Sequence, residues 1–324
     1  MKQNFLMVFL SILITIISLN LQKKLLKSKN QFLYSKNNIH VYVKREDLLH
    51  PIVSGNKFRK LKYNLIEAKN QNKTLLLTFG GAFSNHIAAV AFAGQQNGFE
   101  TIGIIRGDEL SDKISENPTL KFAQECGMKF EFVTRNQYQN KNISEFMACL
   151  ETKFGDFYLI PEGGTNDFAV KGCEEILTED DSEFNFVCTC VGTGGTISGI
   201  INSSNSNQKI LGFPALKGDF LNDEIRTFVT NNNWELITDY HFGGYGKISD
   251  ELIHFMNEFS NQYRFLIDPI YTAKMFYGIL DLINKNYFPD NSKILVIHSG
   301  GLQGIQGINA LLKKKNKILI NTNV

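Results

Sequence analysis

The amino-acid sequence predicts an α/β protein with parallel β-sheets, and three observations support this fold class. Beyond residue 74, short apolar runs rich in β-branched and aromatic residues alternate with helical patterns, as in βα units. Four of the apolar runs end in glycine-rich turns. The chain has 324 residues, which at roughly 150 residues per domain gives room for about two domains.

The apolar runs predict eight strands with helices between them. The strands are expected at residues 74–79, 101–105, 130–133, 157–160, 184–191, 210–213, 236–240 and 294–298. Helical patterns occupy residues 87–96, 118–126, 142–153 and 197–201. No repeat of about 20 to 50 residues and no heptad pattern occurs, which excludes solenoids and coiled coils.

Composition and charge exclude several classes of protein. With 43% hydrophobic and 20% charged residues, the chain is neither disordered nor fibrous. Its formal net charge of +2 does not favour a nucleic-acid partner. The five cysteines are odd in number and widely spaced, which favours a reducing compartment. No histidine or cysteine group has the spacing of a metal site, so no metal is expected.

The apolar segment at residues 5–21 leaves three interpretations open. It is short and interrupted by polar residues, whereas a comfortable membrane span needs about 20 apolar residues. It could be a mis-assigned translation start or divergent leader outside the fold, or a membrane anchor followed by lysines that hold the rest of the chain in the cytoplasm. It could also be a signal peptide with a poor cleavage site. We expect a cytoplasmic location, with membrane contact only through an anchor at 5–21.

The glycine-rich turns predict one common ligand site. They lie at residues 79–86, 161–166, 191–196 and 298–301. Ligands of open parallel sheets bind outside the carboxyl ends of the strands, so these turns should converge. The turn at 192–196 precedes a helical pattern, and helix N-terminal N–H groups suit a phosphate. It matches neither a Walker loop nor the dinucleotide fingerprint, whose third glycine is replaced by Ile197.

Lys57 is the candidate nucleophile. It follows a Ser-Gly-Asn turn and falls in the first turn of a predicted helix, where the positive helix dipole disfavours an ammonium ion. A lysine in that place has a lowered pKa and suits Schiff-base chemistry. The alternative is a solvated lysine in a basic patch with Arg59, Lys60 and Lys62.

Polar and aromatic residues in other turns are further candidates. Ser84, Asn85 and His86 open a helix, so Ser84 is either a plain N-cap or a hydroxyl aimed into the site. No Gly-x-Ser-x-Gly elbow and no triad spacing occur, which argues against a serine hydrolase. Tyr245 and Tyr271 lie in turns, where each could stack on a flat ring, deliver a phenol or join the core.

Taken together, these segments resemble the pyridoxal-phosphate enzymes of the tryptophan-synthase-β type. Within that group they resemble the family of 1-aminocyclopropane-1-carboxylate (ACC) deaminase and D-cysteine desulfhydrase. The matching segments run in family order from about residue 40 to 310: VKRED at 43–47, SGNKFRKL at 54–61, SNH at 84–86, PEGG at 161–164, TGGT at 193–196, GYG at 244–246, DPIY at 268–271 and HSGG at 298–301. Each motif is weak alone, but the ordered set is specific.

The resemblance implies pyridoxal-phosphate fold type II. In that fold, two open parallel-sheet domains of three layers each hold the cofactor in the cleft between them. By this analogy, the larger cofactor-binding domain comprises residues 36–59 and 166–324, and the smaller domain, which closes over the substrate, comprises 60–165. Residues 1–35 would form an apolar leader or anchor. The resemblance also implies pyridoxal 5′-phosphate as cofactor, a small amino acid as substrate and a homodimer.

The resemblance also implies a role for each matching residue. Lys57 would bind the cofactor covalently, Tyr271 would stack on its ring and Asn85 would bond the ring hydroxyl. The other cofactor-binding residues would be Asn56, Thr193, Gly194, Gly195, Thr196 and Ser299, with the phosphate at 193–196. The substrate-binding residues would be Ser84, Asn85, His86, Gly163 and Tyr245. The catalytic residues would be Lys57, Ser84, Tyr245 and Tyr271.

Two positions bear on the substrate. ACC deaminases of the family usually carry an acidic residue straight after the stacking tyrosine and an apolar residue before the last Gly-Gly, where this chain has Thr272 and Ser299. A neutral hydroxyl at the pyridine nitrogen leaves the ring a weaker electron sink, which suits departure of a good β-leaving group. We therefore expect α,β-elimination from D-cysteine. The alternatives are ACC deamination, D-serine or threonine dehydration, and a membrane-tethered cofactor-binding protein without turnover.

Overall fold

The structure is a computed structural model that describes residues 28–323. Short β-rich segments and amphipathic helices alternate along it. The strands are β1 (Asn30–Lys36), β2 (Ile39–Lys44), β3 (Leu75–Gly81), β4 (Glu100–Arg106), β5 (Lys129–Val133), β6 (Tyr158–Ile160), β7 (Phe186–Val191), β8 (Lys209–Pro214), β9 (Trp234–Leu236) and β10 (Lys293–Ile297). The helices are α1 (Asn56–Asn70), α2 (Asn85–Asn97), α3 (Pro118–Glu125), α4 (Arg135–Gln139), α5 (Ser144–Phe154), α6 (Asp167–Glu174), α7 (Gly195–Ser203), α8 (Phe220–Arg226), α9 (Asp250–Tyr263), α10 (Thr272–Asn284) and α11 (Gly304–Lys314).

The strands form two sheets. The larger has the order β1-β2-β10-β7-β8-β9 and is parallel except for β1, which pairs antiparallel with β2. The smaller has the order β5-β4-β3-β6 and is parallel throughout. Parallel sheets are covered on both faces, which is why their strands are almost continuously apolar.

Each sheet separates two hydrophobic clusters. Along β10, Ile294 and Val296 pack on one face, whereas Leu295 and Ile297 pack on the other. Alternate residues of β3 and β4 are divided in the same way between the two clusters of the smaller sheet. This two-residue period on strands that are almost continuously apolar confirms the α/β class predicted from the sequence.

Seven of the eight predicted strands coincide with observed strands, but the prediction at 236–240 is wrong. The observed β9 begins at Trp234 and ends at Leu236, because the buried Trp234 pairs with Ile210 of β8. Strands β1 and β2 are not among the predicted strands. In β1 only Leu33 is buried, so this edge strand carries almost no apolar signal.

The start of the chain adds one correction and one limit. Residues 30–35, assigned above to a leader, lie in β1 and belong to the larger sheet. The apolar segment at 5–21 lies outside the described residues. Between residues 28 and 323, no helix is long and apolar enough to cross a membrane. The smaller sheet falls inside the range 60–165, and the domain boundaries themselves stay a prediction.

Two close helix contacts position the candidate site. A Cβ on Gly172 of α6 would lie 2.0 Å from the carbonyl oxygen of Arg59 in α1. A Cβ on Gly199 of α7 would lie 2.5 Å from Cβ of Cys173 in α6. Only glycine permits such approaches, so α1, α6 and α7 pack backbone against backbone. As a result, the helix that carries Lys57 lies close to the helix that begins at the 193–196 turn.

Candidate active site

The four glycine-rich turns meet at the carboxyl ends of strands from both sheets, as the sequence predicts. Asn85 Nδ2, after β3, donates to the carbonyl of Gly301, after β10, at 3.4 Å. Thr165 Oγ1, after β6, lies 2.5 Å from Thr193 Oγ1, after β7. Asn56 at the start of α1 reaches two of these turns: its backbone N–H donates to the Ser299 carbonyl at 3.3 Å, and its Nδ2 donates to Thr196 Oγ1 at 2.9 Å.

Lys57 places its amine at this meeting point. It is the second residue of α1, and its Nζ donates to the Gly163 carbonyl at 3.4 Å. Burial, and to a lesser extent the neighbouring charge of Lys60, lower the pKa of Lys57 to about 7. The helix dipole, from which the sequence predicts a lowered pKa, is not the main cause, because desolvation of the ammonium contributes most. An amine with this pKa is about half neutral near pH 7.

Lys60 lies beside Lys57 in the site. From the sequence it was expected only as part of a solvated basic patch. Its side chain is buried, and its Nζ donates to the Gly163 carbonyl at 3.1 Å and to Thr165 Oγ1 at 2.9 Å. A Cβ on Gly195 would lie only 3.3 Å from this Nζ, so the second amine adjoins the glycine turn. The i, i+3 spacing on a helix puts both lysines on one face, and that spacing was the available signal.

The turn at 193–196 forms an open helix start. Helix α7 begins at Gly195, and its N-cap, Gly194, has φ +83° and makes no side-chain cap. The first N–H groups of a helix have no partner inside the helix, and the dipole makes them attractive to an anion. The hydroxyls of Thr193 and Thr196 flank the turn, and Lys60 adds a cation. This donor set fits a phosphate group.

Tyr271 lies against the same turn. Its ring is so close that a Cβ on Gly192 would lie 3.1 Å from Tyr271 Cε1. Asp268 fixes the start of α10 by accepting the backbone N–H groups of Ile270, Tyr271 and Thr272 at 2.8 to 3.0 Å. Burial raises the pKa of the Tyr271 phenol well above its usual value, so the ring stays neutral.

The buried hydroxyls of Ser299 and Thr272 each contact a defined partner, a thiol and a carboxylate respectively. Ser299 Oγ lies 3.1 Å from Cys190 Sγ, and burial raises the pKa of Cys190 to about 12, so that group remains a thiol. Thr272 Oγ1 lies 3.0 Å from Asp268 Oδ2 and 2.7 Å from the Asp268 backbone N–H, which donates to it. The Thr272 hydroxyl is therefore fully engaged with Asp268.

Ser84 is the N-cap of α2, as one of the two interpretations expects. Its Oγ accepts the N–H groups of His86 and Ile87 at 3.2 and 3.4 Å. His86 is buried behind the 163–164 turn, with Nε2 2.8 Å from Thr78 Oγ1. Burial, followed by the charges of Lys57 and Lys60, lowers the pKa of His86 well below its usual value, so the imidazole is neutral.

Tyr245 approaches from the loop at 241–246 and is 45% exposed, with its ring centroid 6.1 Å from that of Tyr271. Neighbouring atoms desolvate its hydroxyl and raise its pKa. The loop is held by Lys274, a buried lysine of α10 whose Nζ donates to the carbonyls of His241 and Gly244, both at 2.9 Å. No sequence motif marks Lys274, so its role is visible only in the structure.

Glu46 in the VKRED segment holds α1 in place. It is fully buried and accepts two hydrogen bonds from the Arg59 guanidinium, at 2.9 and 3.0 Å. Two parallel N–H···O bonds fix the relative orientation of both groups. Arg59, which was counted above in a solvated patch, is thereby a buried anchor of the helix that carries Lys57.

The two parallel sheets and the buried amine beside an uncapped, glycine-lined helix start define an α/β enzyme of the pyridoxal-phosphate class. A family model described as "Pyridoxal-phosphate dependent enzyme" matches residues 22–300. A putative ACC deaminase of Pyrococcus horikoshii is 31% identical over 289 residues, covering 82% of this chain and 85% of that protein. The chain thus belongs to the pyridoxal-phosphate-dependent enzymes and, within them, to the family of ACC deaminase and D-cysteine desulfhydrase.

Further relatives agree with this assignment. A bifunctional D-cysteine desulfhydrase/ACC deaminase of Arabidopsis thaliana is 28% identical over 300 residues, covering 83% of this chain and 74% of that protein. The crystal structure of an ACC deaminase homologue matches with a TM-score of 0.76 and 27% identity, covering 89% of this chain and 93% of that one. A hydrogen sulfide-producing enzyme of Fusobacterium nucleatum, 17% identical, shares the fold with a TM-score of 0.62 over 86% of this chain and 96% of that one.

Proposed function

We propose that the protein catalyses α,β-elimination of a small D-amino acid, with D-cysteine as the principal substrate. D-Cysteine and water would give pyruvate, hydrogen sulfide and ammonia. The observation that supports this choice is that the Ser299 hydroxyl contacts a neutral group, the thiol of Cys190. The nearby Asp268 carboxylate is already engaged by three backbone N–H groups. We infer that Ser299 faces the ring nitrogen of the cofactor and leaves it largely unprotonated.

The cofactor would be held by residues that the fold brings together. Lys57 would bond its aldehyde, and the open start of α7 with Lys60 would bind its phosphate. Tyr271 would stack on the ring, and Asn85 would bond the ring hydroxyl. Asn56, through its bond to Thr196, would tie the lysine helix to the phosphate turn. When bound, the cofactor withdraws electrons from the substrate Cα.

The protein groups around it would bind the substrate and move its protons. Lys57, with a pKa of about 7, can take a proton from Cα and return it at neutral pH. Ser84 and Asn85 would bind the substrate carboxylate at the start of α2, where the helix dipole favours an anion. Tyr245 supplies a phenol at the open side, and the neutral His86 supports the Gly163 turn from behind.

ACC deamination is the second candidate, because the curated relatives named above carry that name in whole or in part. It would convert ACC and water to 2-oxobutyrate and ammonia. Opening a cyclopropane, which has no good leaving group, requires a stronger electron sink than a cofactor ring whose nitrogen faces a neutral hydroxyl.

We also propose that the protein is a cytoplasmic homodimer. Size-exclusion chromatography with light scattering tests the oligomeric state, and we expect a mass near twice 36.7 kDa.

A product assay separates these candidates. The holoenzyme is incubated with D-cysteine, L-cysteine, D-serine and ACC, and sulfide, pyruvate and 2-oxobutyrate are measured. We expect sulfide and pyruvate in equal amounts from D-cysteine, at a rate at least about tenfold above that of any other compound. Faster release of 2-oxobutyrate from ACC would overturn the proposal in favour of ACC deamination.

The role of Ser299 has its own variant. Ser299→Ala should shift the visible band of the bound cofactor and lower the elimination rate, because the ring nitrogen loses its hydrogen-bond partner. Ser260→Ala is the matched control, since Ser260 is also buried but its hydroxyl donates to the Asn257 carbonyl within α9. Equal spectra and rates in both variants would place the ring nitrogen elsewhere.

A further inference from the structure

A charged cavity lies beside the catalytic groups on the smaller sheet. Its volume is about 570 Å³, and the turn that leads into Ser84 forms part of its wall. The charged residues that line it are Arg106, Glu109, Arg135, Lys141 and Glu162. None of these residues has a role in the function proposed above.

The charges in this cavity do not cancel. Arg135 pairs with Glu109 at 2.5 Å, and Lys141 pairs with Glu162 at 3.2 Å. Arg106 is the third cation, and none of the carboxylates in residues 28–323 forms an ion pair with it; its guanidinium lies 5.7 Å from the centroid of the Tyr138 ring. The cavity therefore keeps one uncompensated positive charge on a group that can bind an oxyanion through two N–H donors.

Arg106 also lies close to the reacting groups. It is the last residue of β4, and a Cβ on Gly81, three residues before Ser84, would lie 3.6 Å from one of its guanidinium nitrogens. Burial is the main influence on the pKa of the Tyr245 phenol, but the Arg106 charge also lowers this pKa and the Glu162 charge raises it. Glu162 directly precedes Gly163, whose carbonyl accepts from Lys57. The exposed guanidinium thus adjoins both the turn that leads into Ser84 and the turn that carries Gly163.

We propose that Arg106 binds an anionic group on the β-substituent of a substrate, so that the enzyme, besides D-cysteine, also takes amino acids whose leaving group is negatively charged. This inference rests on the elimination proposed above. For O-sulfo-D-serine, the Cα–H bond breaks with the proton passing to the protein, and the Cβ–O bond breaks with its electron pair leaving on sulfate. With water, the products are pyruvate, ammonium, sulfate and one proton. Because sulfate gains negative charge as it leaves, the contact with Arg106 strengthens in the transition state.

The test compares a charged and an uncharged leaving group on the holoenzyme of the full chain. Pyruvate release is measured from O-sulfo-D-serine and from β-chloro-D-alanine in the wild type and in Arg106→Gln. In Arg106→Gln we expect kcat/KM for O-sulfo-D-serine to fall about tenfold or more, because a hydrogen bond to a charged group contributes about that factor. We expect kcat/KM for β-chloro-D-alanine to change less than about twofold, because its leaving group carries no charge in the substrate. Arg106→Lys should restore part of the loss.

Arg135→Gln is the matched control, because Arg135 lines the same cavity but is paired with Glu109. It should leave the ratio of the two kcat/KM values within about twofold of wild type. Equal losses for both substrates in Arg106→Gln, or an unchanged ratio, would overturn the inference while leaving the elimination intact. If the wild type turns over neither compound but releases sulfide from D-cysteine, the inference is overturned and the elimination stands; if it also releases no sulfide from D-cysteine, the proposed elimination fails.

A binding measurement tests whether Arg106 binds an oxyanion, independently of catalytic turnover. Inorganic sulfate is titrated into the holoenzyme by calorimetry, and we expect the dissociation constant to rise about tenfold in Arg106→Gln and to stay unchanged in Arg135→Gln. Equal sulfate binding by wild type and Arg106→Gln would overturn the inference independently of the enzyme's substrate.

Discussion

The lowered pKa of Lys57 predicts how fast the apoenzyme captures its cofactor at each pH. Only a neutral amine attacks an aldehyde. With its pKa lowered from 10.5 to about 7 by burial and by Lys60, about half of the Lys57 amines are neutral at pH 7. For an ordinary exposed lysine the neutral fraction at that pH is about one in 3,000. The structure therefore predicts capture at neutral pH about a thousand times faster than by a solvated lysine.

The assay follows the visible absorbance after apoenzyme is mixed with pyridoxal phosphate between pH 5.5 and 9. We expect the capture rate to rise about tenfold per pH unit up to pH 7 and to level off above it. In Lys60→Met the plateau should move to higher pH, because a charge that lowers the Lys57 pKa is gone. A rate that still rises tenfold per unit through pH 9 would refute the burial of this amine.

Three further changes test the supports of the site. Glu46→Gln leaves the buried Arg59 guanidinium without its carboxylate, so the free energy of unfolding measured with urea should fall by about 3 kcal/mol. Lys274→Met frees two carbonyls of the loop that carries Tyr245, so kcat/KM should fall about tenfold while the cofactor band stays unchanged. Ser299→Glu places a carboxyl near the ring nitrogen, so the spectrum of the bound cofactor should shift toward its protonated form.

Each change has an outcome that contradicts it. Glu100→Gln breaks an exposed ion pair with Lys129 and should leave the free energy of unfolding nearly unchanged, so an equally small loss in Glu46→Gln would show that the buried pair does not anchor α1. Full activity in Lys274→Met would mean that the loop holds its position without that lysine. An unaltered spectrum in Ser299→Glu would place the residue away from the ring.

The parts of the fold and site that the sequence predicted carry a local signal. Strands of a parallel sheet are almost continuously apolar, so seven of them stand out in the sequence. The glycine turns after those strands are equally visible, and parallel-sheet geometry is enough to infer that they meet. Lys57 was found because a helix start follows its Ser-Gly-Asn turn.

The features of the fold and the site that could not be predicted from the sequence depend on contacts between residues far apart in the chain. Lys60 is buried against Gly163 and Thr165, which accept its hydrogen bonds and lie about a hundred residues away in the sequence. A lysine in a basic stretch carries no local signal for such burial. Lys274 bonds backbone carbonyls, which any residue has. The edge strand β1 buries only Leu33. The cause of the Lys57 pKa was likewise misjudged, because desolvation depends on the packing of α1 against α6 and not on its own sequence.

The central claim is that Lys57, and not its neighbour Lys60, forms the bond to the cofactor. The direct measurement is to reconstitute the protein with pyridoxal phosphate, fix the bond by borohydride reduction and map the modified residue by peptide mass spectrometry. We expect the phosphopyridoxyl group on Lys57, and neither the visible band nor the modification in Lys57→Ala. A label on Lys60 or on any other lysine, or a visible band that persists in Lys57→Ala, would contradict the account.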